Sequence, residues 1–104
     1  MVVSLFPYFP VPASWRHISP GCVRAHNIIR YHKKTVDECK KLCDEKPECK
    51  AIEYGVPHGG SRIHYEAGDC QLNRGVNPEG CDGKHENLDL YIKPGKDNYI
   101  LLRI

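Results

Sequence analysis

The chain predicts a small α+β domain in which one short helix is stapled by disulfides to β-strands. Three observations carry this reading. They are a capped amphipathic segment, T-V-D-E-C-K-K-L-C at 35–43, several short stretches that alternate apolar and polar residues, and six cysteines in 104 residues. This length supports one domain. Hydrophobic residues are 40% and charged residues 27%, a globular composition, but so short a chain buries a modest core and often leans on cross-links. The net charge of +2 makes no case for nucleic acid, so any polyanion would have to meet a local basic patch.

Residues 1–21 are rich in proline and aromatics, among them Phe6, Tyr8, Phe9 and Trp15. Pro7, Pro10 and Pro12 exclude helix and central strand and leave an extended or polyproline-like segment. Its apolarity predicts docking along its own domain or on a neighbouring molecule, with self-docking the first expectation. Met1–Ser14 is apolar but has no basic n-region and is too short to span a bilayer, so it reads neither as a signal peptide nor as an anchor. No membrane insertion is expected elsewhere.

Asn27–Tyr31 reads as a strand. The helix follows: Thr35 and Glu38 have capping-box spacing, Asp37 and Glu38 sit at the positive end of the macrodipole, and Lys40, Lys41 and Lys46 lie toward the negative end. Val36, Cys39, Leu42 and Cys43 share one face at helical spacing, and Pro47 stops the helix. Cys49–Tyr54 alternates in period two, with Cys49, Ala51 and Glu53 on one side and Lys50, Ile52 and Tyr54 on the other. A loop at Gly55–Gly60, a strand at Arg62–Tyr65, a turn at Glu66–Asp69 and a strand at Asp69–Asn73 come next. Arg74–His85 carries four glycine or proline breakers and reads as loop. Leu88–Ile92 is the clearest strand, followed by a Pro94-Gly95 turn, and Tyr99–Ile104 has strong strand character.

The cysteines are spaced C-x16-C-x3-C-x5-C-x20-C-x10-C. An even count in a small chain favours a disulfide framework and an oxidising compartment, so secretion is inferred from the thiols. Spacing alone leaves all 15 pairings open. The two-residue gaps common in zinc sites are absent, as is a redox C-x-x-C. No metal and no cofactor is expected.

From Cys22 to Lys93 the residues resemble a PAN/apple domain of the six-cysteine type. The resemblance rests on the helix T-V-D-E-C-K-K-L-C, the strand C-K-A-I-E-Y straight after it, the strand G-D-C-Q-L and the closing N-L-D-L-Y-I-K. It makes 22–93 the domain, 1–21 an N-terminal extension and 94–104 a C-terminal one. It implies a small antiparallel sheet cradling one helix and a nested pairing, Cys22–Cys81, Cys39–Cys70 and Cys43–Cys49. The bottom-up reading agrees in part, because Cys43 and Cys49 flank one reversal and Cys39 faces the sheet. The resemblance also implies non-covalent recognition of an extracellular protein or glycan, without catalysis. The chain has no G-x-S-x-G, H-E-x-x-H or phosphate-cradling glycine loop, and no N-x-[ST] sequon.

Candidate ligand residues form two groups. The basic run Arg24, His26, Arg30, Tyr31, His32, Lys33 and Lys34 suits sulfates or carboxylates of a glycosaminoglycan, set against the plainer reading of a solvated strand edge. The loop residues His58, Arg62, His64 and Tyr65 offer donors and an aromatic face to a sugar or peptide, set against a variable surface loop. A third stretch, Asp82–Asn87 with Asp89, has oxygen ligands near a glycine but not EF-hand spacing, and reads as a turn. The apolar ends give an alternative function. Phe6, Tyr8, Phe9, Trp15, Tyr99, Ile100 and Leu102 could join copies into an extracellular oligomer or fibre if they do not pack on their own domain.

Overall fold

The computed structural model describes residues 8–12, 14–61, 64–95 and 99–103. The strands are β1 (Tyr8–Pro12), β2 (Arg16–Ile18), β3 (Asn27–Tyr31), β4 (Ala51–Gly55), β5 (Cys70–Asn73), β6 (Leu88–Ile92) and β7 (Tyr99–Arg103), with helices α1 (Val36–Asp44) and α2 (Gly83–Glu86). Five strands form an antiparallel sheet in the order β2-β6-β4-β5-β3, and β1 and β7 form a separate antiparallel pair. The protein is a small disulfide-stabilised α+β domain.

Helix α1 starts as its sequence dictates. Thr35 Oγ1 accepts from the Glu38 N–H at 3.1 Å and Glu38 Oε1 accepts from the Thr35 N–H at 2.8 Å. These bonds hold the Glu38 carboxyl below its usual range, the backbone N–H contributing most. The helix ends at Asp44, with Glu45 as its C-cap, before Pro47 is reached. Lys93, at the end of β6, places Nζ 3.3 Å from the Cys43 carbonyl and 3.4 Å from that of Cys49. A cation there suits the negative end of the helix.

The face of the sheet under α1 is apolar. Ile52 and Leu72 are adjacent in register and fully buried among Cys39, Cys43, Cys49 and Cys70. Burial of each aliphatic side chain contributes about 1.5–3 kcal/mol. The three bridges are Cys22–Cys81, Cys39–Cys70 and Cys43–Cys49, the set that the resemblance implies. No cysteine is free.

The opposite face has no long helix. Val23, Ala51 and Leu90 form a small cluster there with Ile18 and Ile92, and the rest is a buried polar lattice. Glu53 Oε2 accepts from the Val23 N–H at 3.0 Å and Oε1 from Asn73 Nδ2 at 2.8 Å. Asn73 also donates to the Ala25 carbonyl and to Asn27 Oδ1, and accepts from the Gly75 N–H. The lattice thus ties the Gly21–Asn27 segment down as a cover. Every buried side-chain nitrogen and oxygen among the described residues has a partner.

That cover includes Ala25 and His26 in succession at φ 60° and 66°, the left-handed region that costs an L-residue about 1–2 kcal/mol. Ala25→Gly will therefore stabilise the fold by about 0.5–1 kcal/mol, read from the midpoint of a urea titration.

Four expectations change. Arg74–His85 is not all loop: Asp82 caps α2 by accepting from the Lys84 N–H, and Asn87 ends it in the left-handed conformation. Its glycine breaker, Gly83, is the first residue of that helix, and glycine is required there because a Cβ would run into the backbone of Gly21. Of the expected strand at 62–65, Arg62 and Ile63 lie outside the described residues, and His64 and Tyr65 belong to no strand. Within 1–21 two strands form, and β2 joins the main sheet beside β6, pairing Arg16 with Ile92 and Ile18 with Leu90. Finally, self-docking holds for only part of the tails: Trp15 and Ile18 pack on the domain, whereas β1 and β7 pair with each other and contact no other described strand or helix. Phe6 and Ile104 lie outside the described residues.

Candidate functional site

The basic run does not form one patch: only Arg30 and Tyr31 lie in β3 and leave it by opposite faces, while the other five sit in the segments on either side. Arg24 reaches toward Gly80 and borders an open hollow with Cys81, Asp82, His85 and Glu86. His26 packs near Gly75. Tyr31 packs against the helix-side core. His32 Nδ1 donates to Asp69 Oδ1 at 2.7 Å. Lys33 turns the chain at φ 55° beside Gly68, and the Lys34 carbonyl accepts from Tyr54 Oη at 2.5 Å.

Arg30 is different: it meets the second candidate group. Its guanidinium lies 4.0 Å from the centre of the Tyr65 ring, and Nη1 donates to the His64 carbonyl at 2.8 Å. Asp69 Oδ2 is 3.9 Å from Nη1, and the same oxygen accepts from the Glu66 N–H at 2.9 Å. Two carboxylates, Asp69 and the buried Glu53, thus temper the charge of Arg30. Burial, and then the charge of Glu53, push the Tyr65 hydroxyl up from its ordinary value, partly offset by Arg30.

Tyr65 also lines a hollow of about 200 Å³ with Val56, Pro57, Gly59, Ala67 and Asn87. The strand end beneath is shaped for it: a Cβ at Gly55 would strike the Glu66 carbonyl, and the Gly55 N–H donates to the Asp69 carbonyl at 2.8 Å. Asn87 Oδ1 accepts from the His58 and Gly60 N–H groups at 3.0 and 2.8 Å, which fixes the far wall. The result is a hollow with apolar side chains and one aromatic wall, and the ring of that wall carries the Arg30 guanidinium on a face. Such a surface can hold a ring by contact and orient it by hydrogen bonds.

His58 goes elsewhere. Its Nε2 donates to Asp89 Oδ1 at 2.6 Å, where Ser19 Oγ also donates at 2.6 Å, and His17 Nε2 donates to Oδ2 at 2.9 Å. Burial alone would raise the Asp89 carboxyl, but the bonds from Ser19, His17 and His58 outweigh it and hold it below its ordinary value. His17 stacks on Tyr91 at 4.1 Å, and Lys40 Nζ lies 5.0 Å from the Tyr91 ring and 5.7 Å from that of Trp15. Trp15, one of the expected assembly residues, therefore packs on its own domain. Arg62 lies outside the described residues. No group of three or more His, Cys, Asp or Glu among the described residues could hold a metal ion.

Sequence reasoning missed Glu53, Asp69, Asn73 and Asn87. The readable signal was a charge or amide inside an otherwise apolar strand, as in A-I-E-Y-G and C-Q-L-N, since such residues are depleted in sheets unless paired. Comparison with protein families, characterised proteins and solved structures finds no match to this chain.

Proposed function

We propose that this chain is a secreted recognition module of PAN/apple type that binds a carbohydrate ring in the hollow beside Tyr65, without catalysis. The observation that carries the reading is the Arg30–Tyr65 pair, which brings a donor from the basic run onto an aromatic wall supplied by the loop. Guanidinium has five N–H donors, and its contacts to His64 and Tyr65 leave capacity for a hydroxyl or carboxylate of the ligand. The hollow is smaller than the ~300 Å³ typical of drug-sized ligands, a size suited to one sugar unit. Three disulfides indicate an oxidising environment. With all six cysteines paired, no thiolate remains to act as a nucleophile.

The test is a glycan array followed by calorimetry on the best ligand. Tyr65→Ala and Arg30→Ala each lower its affinity about tenfold, the 1.4 kcal/mol worth of one good aromatic or charge-assisted contact. An array without a binder overturns the carbohydrate reading. So does an unchanged affinity in the Arg30→Ala/Tyr65→Ala double variant. Retention on heparin well above physiological salt, with loss in Lys33→Ala/Lys34→Ala instead, moves the site to the basic turn.

A further inference from the structure

The ribbon of β1 and β7 continues a pair already present in the sheet. β2 and β6 are antiparallel neighbours, so the chain entering β2 and the chain leaving β6 run side by side off the same end. Pro12 is paired with Tyr99, Pro10 with Leu101 and Tyr8 with Arg103. The radius of gyration is 16.2 Å, against about 13 Å for a compact chain of this length. The longest axis is 59 Å, against 22 and 21 Å for the others. The ribbon projects.

Its backbone groups can be assigned one by one. Proline has no N–H, so the Pro10–Leu101 and Pro12–Tyr99 pairs are non-hydrogen-bonded ones, and Phe9–Leu102 and Val11–Ile100 carry the ladder. The N–H and C=O groups of Tyr99, Leu101 and Arg103 therefore point away from β1. The outer edge of β1 lacks donors at both prolines and cannot template a further strand. The outer edge of β7 keeps a donor at every residue and pairs with no strand among the described residues, and the sequence there, Y-I-L-L-R, carries one charge. A two-stranded ribbon alone is marginal in water, and three or more strands are needed.

We propose that the free edge of β7 pairs antiparallel with β7 of a second copy of this chain. Centred on Leu101, the two-fold sets Leu101 against Leu101 and Arg103 against Tyr99, makes about six main-chain hydrogen bonds, and keeps the two arginines apart. The product is a four-stranded sheet, β1-β7-β7-β1, whose outer edges are the proline strands. Growth stops at two, because the contact is isologous and both remaining edges are blocked. The occupant is a second copy because the edge is self-complementary about that axis. This inference does not rest on the carbohydrate reading.

Sedimentation velocity of the full chain tests it. The expected result is a reversible dimer at micromolar concentrations. Leu101→Pro removes an outward N–H and leaves the β1 ladder intact, so it yields a monomer with the far-UV circular dichroism spectrum and urea midpoint of the parent. Hydrogen exchange gives a check that needs no variant: the Leu101 amide exchanges about tenfold more slowly in the dimer than after dilution, while Ile100 and Leu102 change less. A monomer at all concentrations overturns the proposal. So do open-ended polymers, an undiminished dimer in Leu101→Pro, and a Leu101 amide indifferent to concentration.

Discussion

Replacing Cys39 and Cys70 together by alanine will cost about 4 kcal/mol and leave the chain largely unfolded at 37 °C. The bridge closes a sequence separation of 31, for which the chain-entropy relation gives about 4 kcal/mol. Both sulfurs are fully buried beside Ile52 and Leu72, so their removal also leaves a void between α1 and the sheet. Domains of this size have only about 5–15 kcal/mol in total. Urea denaturation followed by far-UV circular dichroism reads the loss. An unfolding midpoint within error of the parent would mean that helix and sheet hold together without the bridge.

Glu53 carries the second large effect. It is 2% exposed and supplies both acceptors that hold the Val23 N–H and Asn73 Nδ2. Glu53→Ala strands the Val23 N–H in a dry place, while Asn73 Nδ2 keeps its bonds to Ala25 and Asn27; the one unsatisfied donor costs about 1–3 kcal/mol. The pH dependence has a definite sign. Burial raises the Glu53 carboxyl above its ordinary 4.5, although bonds from Val23 and Asn73 oppose this. A carboxyl raised in the folded state contributes stability that is full below its unfolded pKa and is lost as pH rises through its folded pKa. Glu53→Gln cannot ionise, so its deficit relative to the parent is widest below pH 4.5 and narrows above it. The lowered Asp89 carboxyl works in the other direction: its contribution is present above the unfolded pKa and lost as pH falls through the folded one. A Glu53→Gln deficit that stays constant or widens with rising pH would show that Glu53 ionises without penalty.

The elements that local chemistry determines were readable. The Thr35–Glu38 box, the alternation in A-I-E-Y and the strand-forming run L-D-L-Y-I each specify structure within a few residues, and each is present, while the even cysteine count announced bridges without saying which. What depends on contacts between distant segments was not readable. Gly83 counts as a breaker on its own, yet it opens α2 behind the Asp82 cap, and what requires glycine there is the backbone of Gly21, more than sixty positions away. Arg30 and His32 look like members of one cationic run, yet both turn to Asp69, with Arg30 also stacked on Tyr65, partners that lie more than thirty positions along the chain. The tails look like candidates to cover the core, and Trp15 does. β1 and β7 instead leave together because β2 and β6 are neighbours, a pairing between residues more than seventy positions apart. Nothing in the composition of Phe9 or Leu102 could announce that.

The Cys22–Cys81 bond encloses the other two bridges. If this domain is tethered at its two ends and pulled, the load crosses that bond and bypasses α1, β3, β4 and β5. Only the outlying segments can be drawn out: the ribbon first, unzipping one rung at a time, and then β2, α2 and β6. Under tension the molecule would yield by a fixed, short length and then stop, with its helix-bearing half still closed.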